Sequence, residues 1–338
     1  MLLGTGTALS CLSVGQIDLS HHNEPDLVLQ KTQLGWIIGG SVTVTMPQPK
    51  RNAFLTSLDT DIKRFWEIEE GSTKQHLSAE ERECEKHFSE HTRRDDSGRY
   101  VVALPFNEKK TQLGESRSRA LHRFFSLERK LHRDPELKKQ YTAVLEEYLT
   151  LGHMTQVDTD QTPSFYLPHH AVIKPSSTTT KVRVVFDGSA KSSSGLSLNE
   201  TLMTGPTIQD DLFSLLLRFR MHSYVLTGDI EKMYRQFLVR PEDRSYQRIL
   251  WRDQQDNIAN YELNTVTFGL TSAPYLATRC LQQLAKDERG NFPSAAPIIE
   301  RDLYVDDLLT GAETFEEAID IQTQIIGLLQ QGGLNIRQ

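Results

Sequence analysis

The chain has 338 residues, of which 38% are hydrophobic and 25% charged, and its formal net charge is −7. That length accommodates two or three domains with a sizeable core, and the absence of any run of about 18 apolar residues argues against a membrane-spanning helix. The acidic balance is unlike that of a dedicated nucleic-acid-binding module, yet leaves room for a local basic groove. The cysteines, Cys11, Cys84 and Cys280, are odd in number and far apart. They speak against a disulfide framework or a Cys-based zinc site and fit a reducing compartment.

The N-terminal stretch MLLGTGTALSCLSVGQIDL is apolar but has no basic flank, and it is not read as a signal peptide. Residues 1–45 read as strands, with LVLQKTQLGWIIGGSVTVT rich in β-branched residues and broken by Gly35, Gly39 and Gly40. MPQPKRN is a linker, and from about 57 to 152 the pattern is helical and charged. Ser78 and Glu81 form a capping box for a helix near 79–91. YVVALPF (100–106) is a short strand. Asp134 followed by Pro135 starts a second helix whose apolar stripe is Leu137, Tyr141, Val144, Leu145, Tyr148 and Leu149, and Gly152 ends it. SFYLPHHAVIK and KVRVVFD are strands joined by PSSTTT, and SAKSSSGLSLNE is a loop. A helix over 210–221 is capped by Asp210. SYVLTGDI, YELNTVTF and RDLYVDDLL are further strands. A helix follows Ser272 and Pro274 with Leu276, Cys280, Leu281 and Leu284 inward, and a second capping box, Thr314 with Glu317, opens a final helix ending at Gly332–Gly333.

RDLYVDDLLTG (301–311) sets two carboxylates, Asp306 and Asp307, inside an apolar run. Burying a carboxylate costs several kcal/mol unless something compensates it. The strand ending in TGD supplies a third, Asp229, and if the two strands are neighbours, Asp229 and Asp306 face one point. Converging carboxylates repel, and Mg²⁺, which takes hard oxygen ligands and leaves places for substrate phosphates, removes that penalty. Adjacent residues of a strand point to opposite sides, so one aspartate is the stronger ligand. The expectation is Asp306, with Asp307 contributing less.

YVDD after an apolar run resembles the catalytic box of reverse transcriptases. Three further boxes follow the order of that family: KVRVVFDGS (181–189) with LNE (198–200), TGDIEKMYRQF (227–237) and FGLTSAPYLATRCL (268–281). LQKTQLGWIIGG, FWEIEE, GRYVVALPF and LHRDPELKKQYTAVLEEYLTLGHM resemble the polyprotein of Pao/BEL-class LTR retrotransposons, over essentially the whole chain. The resemblance implies an α+β fold: an antiparallel palm sheet backed by helices and a mixed fingers subdomain. It implies that residues 1–45 are the end of a retropepsin-like aspartic protease, 46–160 a helical connecting and leading segment, and 161–338 the fingers and palm, truncated before the thumb.

It also implies an RNA-directed DNA polymerase that uses two Mg²⁺ ions, with Mn²⁺ as a substitute. The family's metal ligands fall on Asp229, Asp306 and Asp307. Lys181 and Arg183 would hold the dNTP phosphates, Arg as a bidentate fork and Lys as a point charge, with Asp187 orienting the Arg183 guanidinium. Tyr234 would lie under the sugar and exclude a 2′-hydroxyl, Phe268 would pack against the nucleotide, and Gly269 would allow close backbone approach. The implied partners are a primed RNA or DNA template, dNTPs and the thumb, RNase H and integrase parts of the polyprotein, with no membrane. The implied location is a cytoplasmic virus-like particle with a nuclear stage at integration.

Competing readings are few. An inactive or domesticated fragment that binds nucleic acid or a protein partner is the alternative. DDSGRY (95–100) contains Asp-Ser-Gly, as an aspartic protease would, but follows a helix and not an apolar strand, and is read as a turn. His21–His22 and His169–His170 lack partners at zinc spacing and are read as loop or strand-surface histidines.

Overall fold

The computed structural model describes residues 12–18, 28–32, 35–39, 77–158, 163–173 and 182–337. The chain divides into two compact units, Met1–Lys74 and Gln75–Gln338. In the first, β1 (Leu12–Asp18), β2 (Val28–Thr32) and β3 (Gly35–Gly39) form an antiparallel sheet in sequence order, with an irregular register between Leu12 and Gln16.

The second unit begins with α1 (Ala79–His91), β4 (Arg93–Arg94) and β5 (Tyr100–Val102). Then come α2 (Arg117–Arg133), α3 (Pro135–Thr150), β6 (Met154–Val157), β7 (His169–Ile173) and β8 (Val182–Phe186). The chain continues through α4 (Leu212–Phe219), β9 (Tyr224–Ile230), α5 (Met233–Gln236), β10 (Leu238–Val239), α6 (Pro241–Arg244), β11 (Arg248–Arg252) and β12 (Ile258–Leu263). It closes with α7 (Ala273–Asp287), α8 (Ala295–Arg301), β13 (Leu303–Tyr304), β14 (Asp307–Ala312), α9 (Phe315–Gln331) and β15 (Ile336–Arg337). The result is a mixed α and β unit with several small sheets. They are β13-β14-β9-β15, β11-β12-β6, β10-β5-β4 and the hairpin β7-β8.

Local signals account for the helix starts. Ser78 and Glu81 close their box reciprocally, and Asp134 accepts from Leu137 N ahead of Pro135. Thr314 caps α9, but Glu317 takes the Glu313 N–H instead of closing a full box. α4 is capped by Asp211, one residue later than expected, because Asp210 is drawn into an ion pair with Arg218. α9 buries Ala318, Ile321, Ile325, Leu328 and Leu329, a helical stripe that covers one face of β9 and β14. Its opposite face stays open, which is why β9 alternates in exposure.

Two strand expectations need correction. RDLYVDDLL is a hairpin, β13 turning at Val305–Asp306 into β14. YELNTVTF ends as a strand at Leu263, because its ladder to β11 stops at Glu262 and its ladder to β6 at Leu263. Cys84, Tyr141 and Leu145 belong to the same core as Phe186, Ile230 and Leu328. His169 is not a surface histidine. It is buried, accepting from Tyr141 OH at 2.5 Å and donating to the Leu250 carbonyl at 2.9 Å.

Candidate active site

β9 and β14 are antiparallel neighbours, and their register sets Asp229 directly opposite Asp307. Directly opposed residues project from the same face. Asp306 sits in the turn beside them, and its carbonyl accepts the Ile230 N–H at 2.9 Å. Asp229 and Asp307 are exposed and Asp306 half-buried, so the hairpin carries its charges at its tip and not in the core. Among the described residues no side chain donates a hydrogen bond to any of the three, and none pairs with them as an ion.

The electrostatics follow from that crowding. Desolvation raises the pKa of Asp229, then the Asp306 charge, then that of Asp307. Arg337 acts in the opposite direction. It is the register partner of Asp229 on the other side, and it ion-pairs with Glu231 at 2.7 Å. Asp307 is also raised, by desolvation and then by Asp306. Asp306 therefore weighs more on Asp229 than the directly opposed Asp307 does. Arg337 was not among the expected site residues, since β15 pairs with β9 only through long-range topology.

Tyr234 and Phe268 lie near the aspartates. Tyr234 is buried on α5, and its hydroxyl pKa is raised by burial and then by the Asp306 charge. The Phe268 ring lies 4.3 Å from the Tyr234 ring, centre to centre, and is 58% exposed. Gly269 has φ +104°, and any side chain there would run into the Phe186 carbonyl at the end of β8. Only glycine meets both demands. Arg183 is exposed on β8 opposite Val172, and Lys181 lies outside the described residues. Asp187 pairs with Arg123 from α2 and accepts the Ser189 N–H, so its partner is not the Arg183 guanidinium.

Asn199, inside the LNE tripeptide, ties these boxes together. Its Nδ2 donates to Gly269 O (3.0 Å) and Ser189 Oγ (2.9 Å). Its Oδ1 accepts from Thr271 N (2.9 Å), and its own N–H donates to Gly188 O (2.9 Å). One primary amide thus satisfies one donor and two acceptors on two segments.

Neither a protein-family model nor a curated protein matches the chain. Among solved structures it is similar to two crystal structures of the prototype foamy virus protease-reverse transcriptase. They are a selenomethionine-labelled CSH mutant (TM-score 0.46) and the native protein (TM-score 0.44), each 19% identical and matched over 60% of this chain. The chain spans about a quarter of the length of those proteins, covering 24% of each.

As a metal site the arrangement is open. Among the described residues no three His, Cys, Asp or Glu side chains converge tightly enough to cage an ion. Mg²⁺ is characteristically held by one or two carboxylates, with waters and substrate phosphates completing its shell. Carboxylate oxygens without internal donors, raised at Asp229 and Asp307 by desolvation and then by the neighbouring carboxylates, fit that donor chemistry. Among the described residues no helix is long and apolar enough to cross a membrane.

Proposed function

We propose that the second unit carries the fingers and palm of an RNA-directed DNA polymerase from an LTR retroelement of the Pao/BEL type. The observation that carries the reading is the β9–β14 register, which assembles Asp229, Asp306 and Asp307 from two distant sequence boxes at one exposed tip. Supporting it are the aromatic pair Tyr234–Phe268 beside that tip and the Asn199 tie between the fingers loop and the third box.

In the proposed reaction the primer 3′-hydroxyl gives up its proton to solvent and its oxygen forms a bond to the α-phosphorus of a dNTP. The bond between the α-phosphorus and the bridging oxygen breaks, and pyrophosphate leaves. Asp229 and Asp306, with a lesser share from Asp307, would hold two Mg²⁺ ions. Bound there, Mg²⁺ stabilises the charge on the attacking and leaving oxygens. Arg183 and Lys181 orient the β- and γ-phosphates, an arrangement that acts by positioning and electrostatics. Tyr234 and Phe268 wall the sugar and base, and Gly269 lets the backbone approach. The partners in this reading are a primed template, dNTPs and the remaining polyprotein parts, in a cytoplasmic particle with a nuclear stage.

The test is primer extension on an RNA template with Mg²⁺ or Mn²⁺, by this chain, by its Asp306→Asn variant and by a longer polypeptide continuing through a thumb. Extension by the longer wild type and not by its Asp306→Asn counterpart is expected. Lack of extension by the longer wild type would falsify the polymerase reading and favour a fragment that only binds.

A further inference from the structure

Residues 208–218 form a strap across the aspartate hairpin. At its head, Gln209 Oε1 accepts the Val305 N–H at 3.1 Å. The adjoining Ile208 carbonyl accepts from Gln282 Nε2 on α7 at 3.0 Å, which anchors this loop to the helix of the third box. At the other end, Arg218 meets Asp210 at 2.8 Å and Asp302 at 3.5 Å, and donates to the Arg301 carbonyl at 2.7 Å. The strap therefore grips the hairpin at its turn and at its base.

The turn is where a grip is needed. Val305 has φ +57°, the left-handed region, which a β-branched residue adopts only when its surroundings impose it. Strand pairing stops at Tyr304 and Asp307, so the ladder offers the Val305 N–H no partner. Gln209 supplies one. If Val305 relaxed to the extended conformation it prefers, the next two residues, Asp306 and Asp307, would swing away from Asp229.

We propose that Gln209 is a positioning residue for the candidate active site: its side-chain carbonyl fixes the backbone of Val305 and so the placement of the Asp306–Asp307 pair. This inference rests on the reading that those aspartates are the reacting centre. It adds a residue outside the four sequence boxes that identified them.

The test has two arms. Hydrogen exchange compares wild type with Gln209→Leu, which keeps the side chain's bulk and removes its acceptor. Exchange of the amides of residues 304–308 is expected to quicken about fivefold, the value of one net hydrogen bond. Amides of α3, far along the sequence, serve as the control. Equal quickening in both regions, or none at Val305, overturns the proposal. The second arm is a double-mutant cycle with Val305→Asn, since Asn tolerates the left-handed region better than Val. Loss of Gln209 should then quicken exchange less; an undiminished effect overturns it. In the longer polypeptide, Gln209→Leu should lower kcat for primer extension with KM for dNTP unchanged. If the wild type extends no primer, the polymerase reading fails, while the exchange data still decide whether Gln209 holds the hairpin.

Discussion

The hairpin that runs from Asp302 to Ala312 carries aspartates at both ends, and the two ends treat them oppositely. At the base, Asp302 is 2% exposed. It accepts from Arg301 Nε at 2.8 Å, from Arg301 Nη2 at 2.9 Å and from Thr310 Oγ1 at 2.9 Å, with Arg218 close by. At the tip, Asp229, Asp306 and Asp307 reach solvent with no internal donor among the described residues. A carboxylate that serves the fold brings its counter-charges from the same chain, as the high cost of an unpaired buried charge requires. The tip carboxylates, proposed to serve a reaction, leave their coordination places open for what arrives from outside.

The sharpest way to break this contrast is at the tip. Under the proposed function, Asp306→Asn is expected to lower primer extension about a thousandfold, the scale of losing a preorganised charge at a reacting centre. Its melting temperature should stay level or rise, because a like charge is removed. Rate assays and a thermal melt on one preparation check both halves, and a destabilised but active variant would invert the argument.

A second internally satisfied group extends the base side of the comparison. Burial depresses the pKa of His169 to about 4 from an ordinary 6.5. The unfolded chain then takes up this proton first as pH falls. The stability from His169 is therefore complete above pH 6.5 and is lost between 6.5 and 4, by on the order of 3 kcal/mol. Denaturant titrations of wild type and His169→Phe at several pH values should show a weaker pH dependence in the variant over that window.

At the base itself, Asp302→Ala is expected to cost about 2 kcal/mol, since Thr310 and Arg301 lose a buried charged acceptor. The midpoint of urea unfolding measures it, and a shift no larger than that of Asp306→Asn would erase the difference between the two ends. The smallest effect concerns order within the tip. Both Asp306→Asn and Asp307→Asn should lower the pKa of Asp229, the first by more, as carbon-detected NMR titration can determine. The reverse ranking would make Asp307 the closer electrostatic partner.

Much of this was readable from local signals. Ser78 with Glu81 and Asp134 with Pro135 mark real helix starts, because capping is settled within a few residues. The strands bearing Asp229 and Asp307 were legible as apolar runs, but their pairing entered only as a condition, because the register is set by long-range contacts. The hairpin turn was not, because Val305 occupies a conformation that its side chain disfavours, and propensity argues against it. The partners of Asp187 and His169 were also hidden. Arg123 and Tyr141 reach them from helices far away in sequence, and nothing local announces such a meeting. Gln209 and Asn199 show the same limit: each acts through one amide on a backbone group encoded elsewhere.

The Asn199 tie has a kinetic consequence. It joins Asn199 to Gly269 across 70 positions of sequence, and to Thr271 across 72. Such a bond forms only after the intervening chain has closed a large loop, so it belongs to the late part of the folding reaction. Removing it, as in Asn199→Ala, should steepen escape from the native state and leave the rate of reaching it nearly unchanged, so that the unfolding arm of a chevron moves and the folding arm stays. The junction between Gly188–Ser189 and Gly269–Thr271 would then be the last part of the unit to set and the first to come undone.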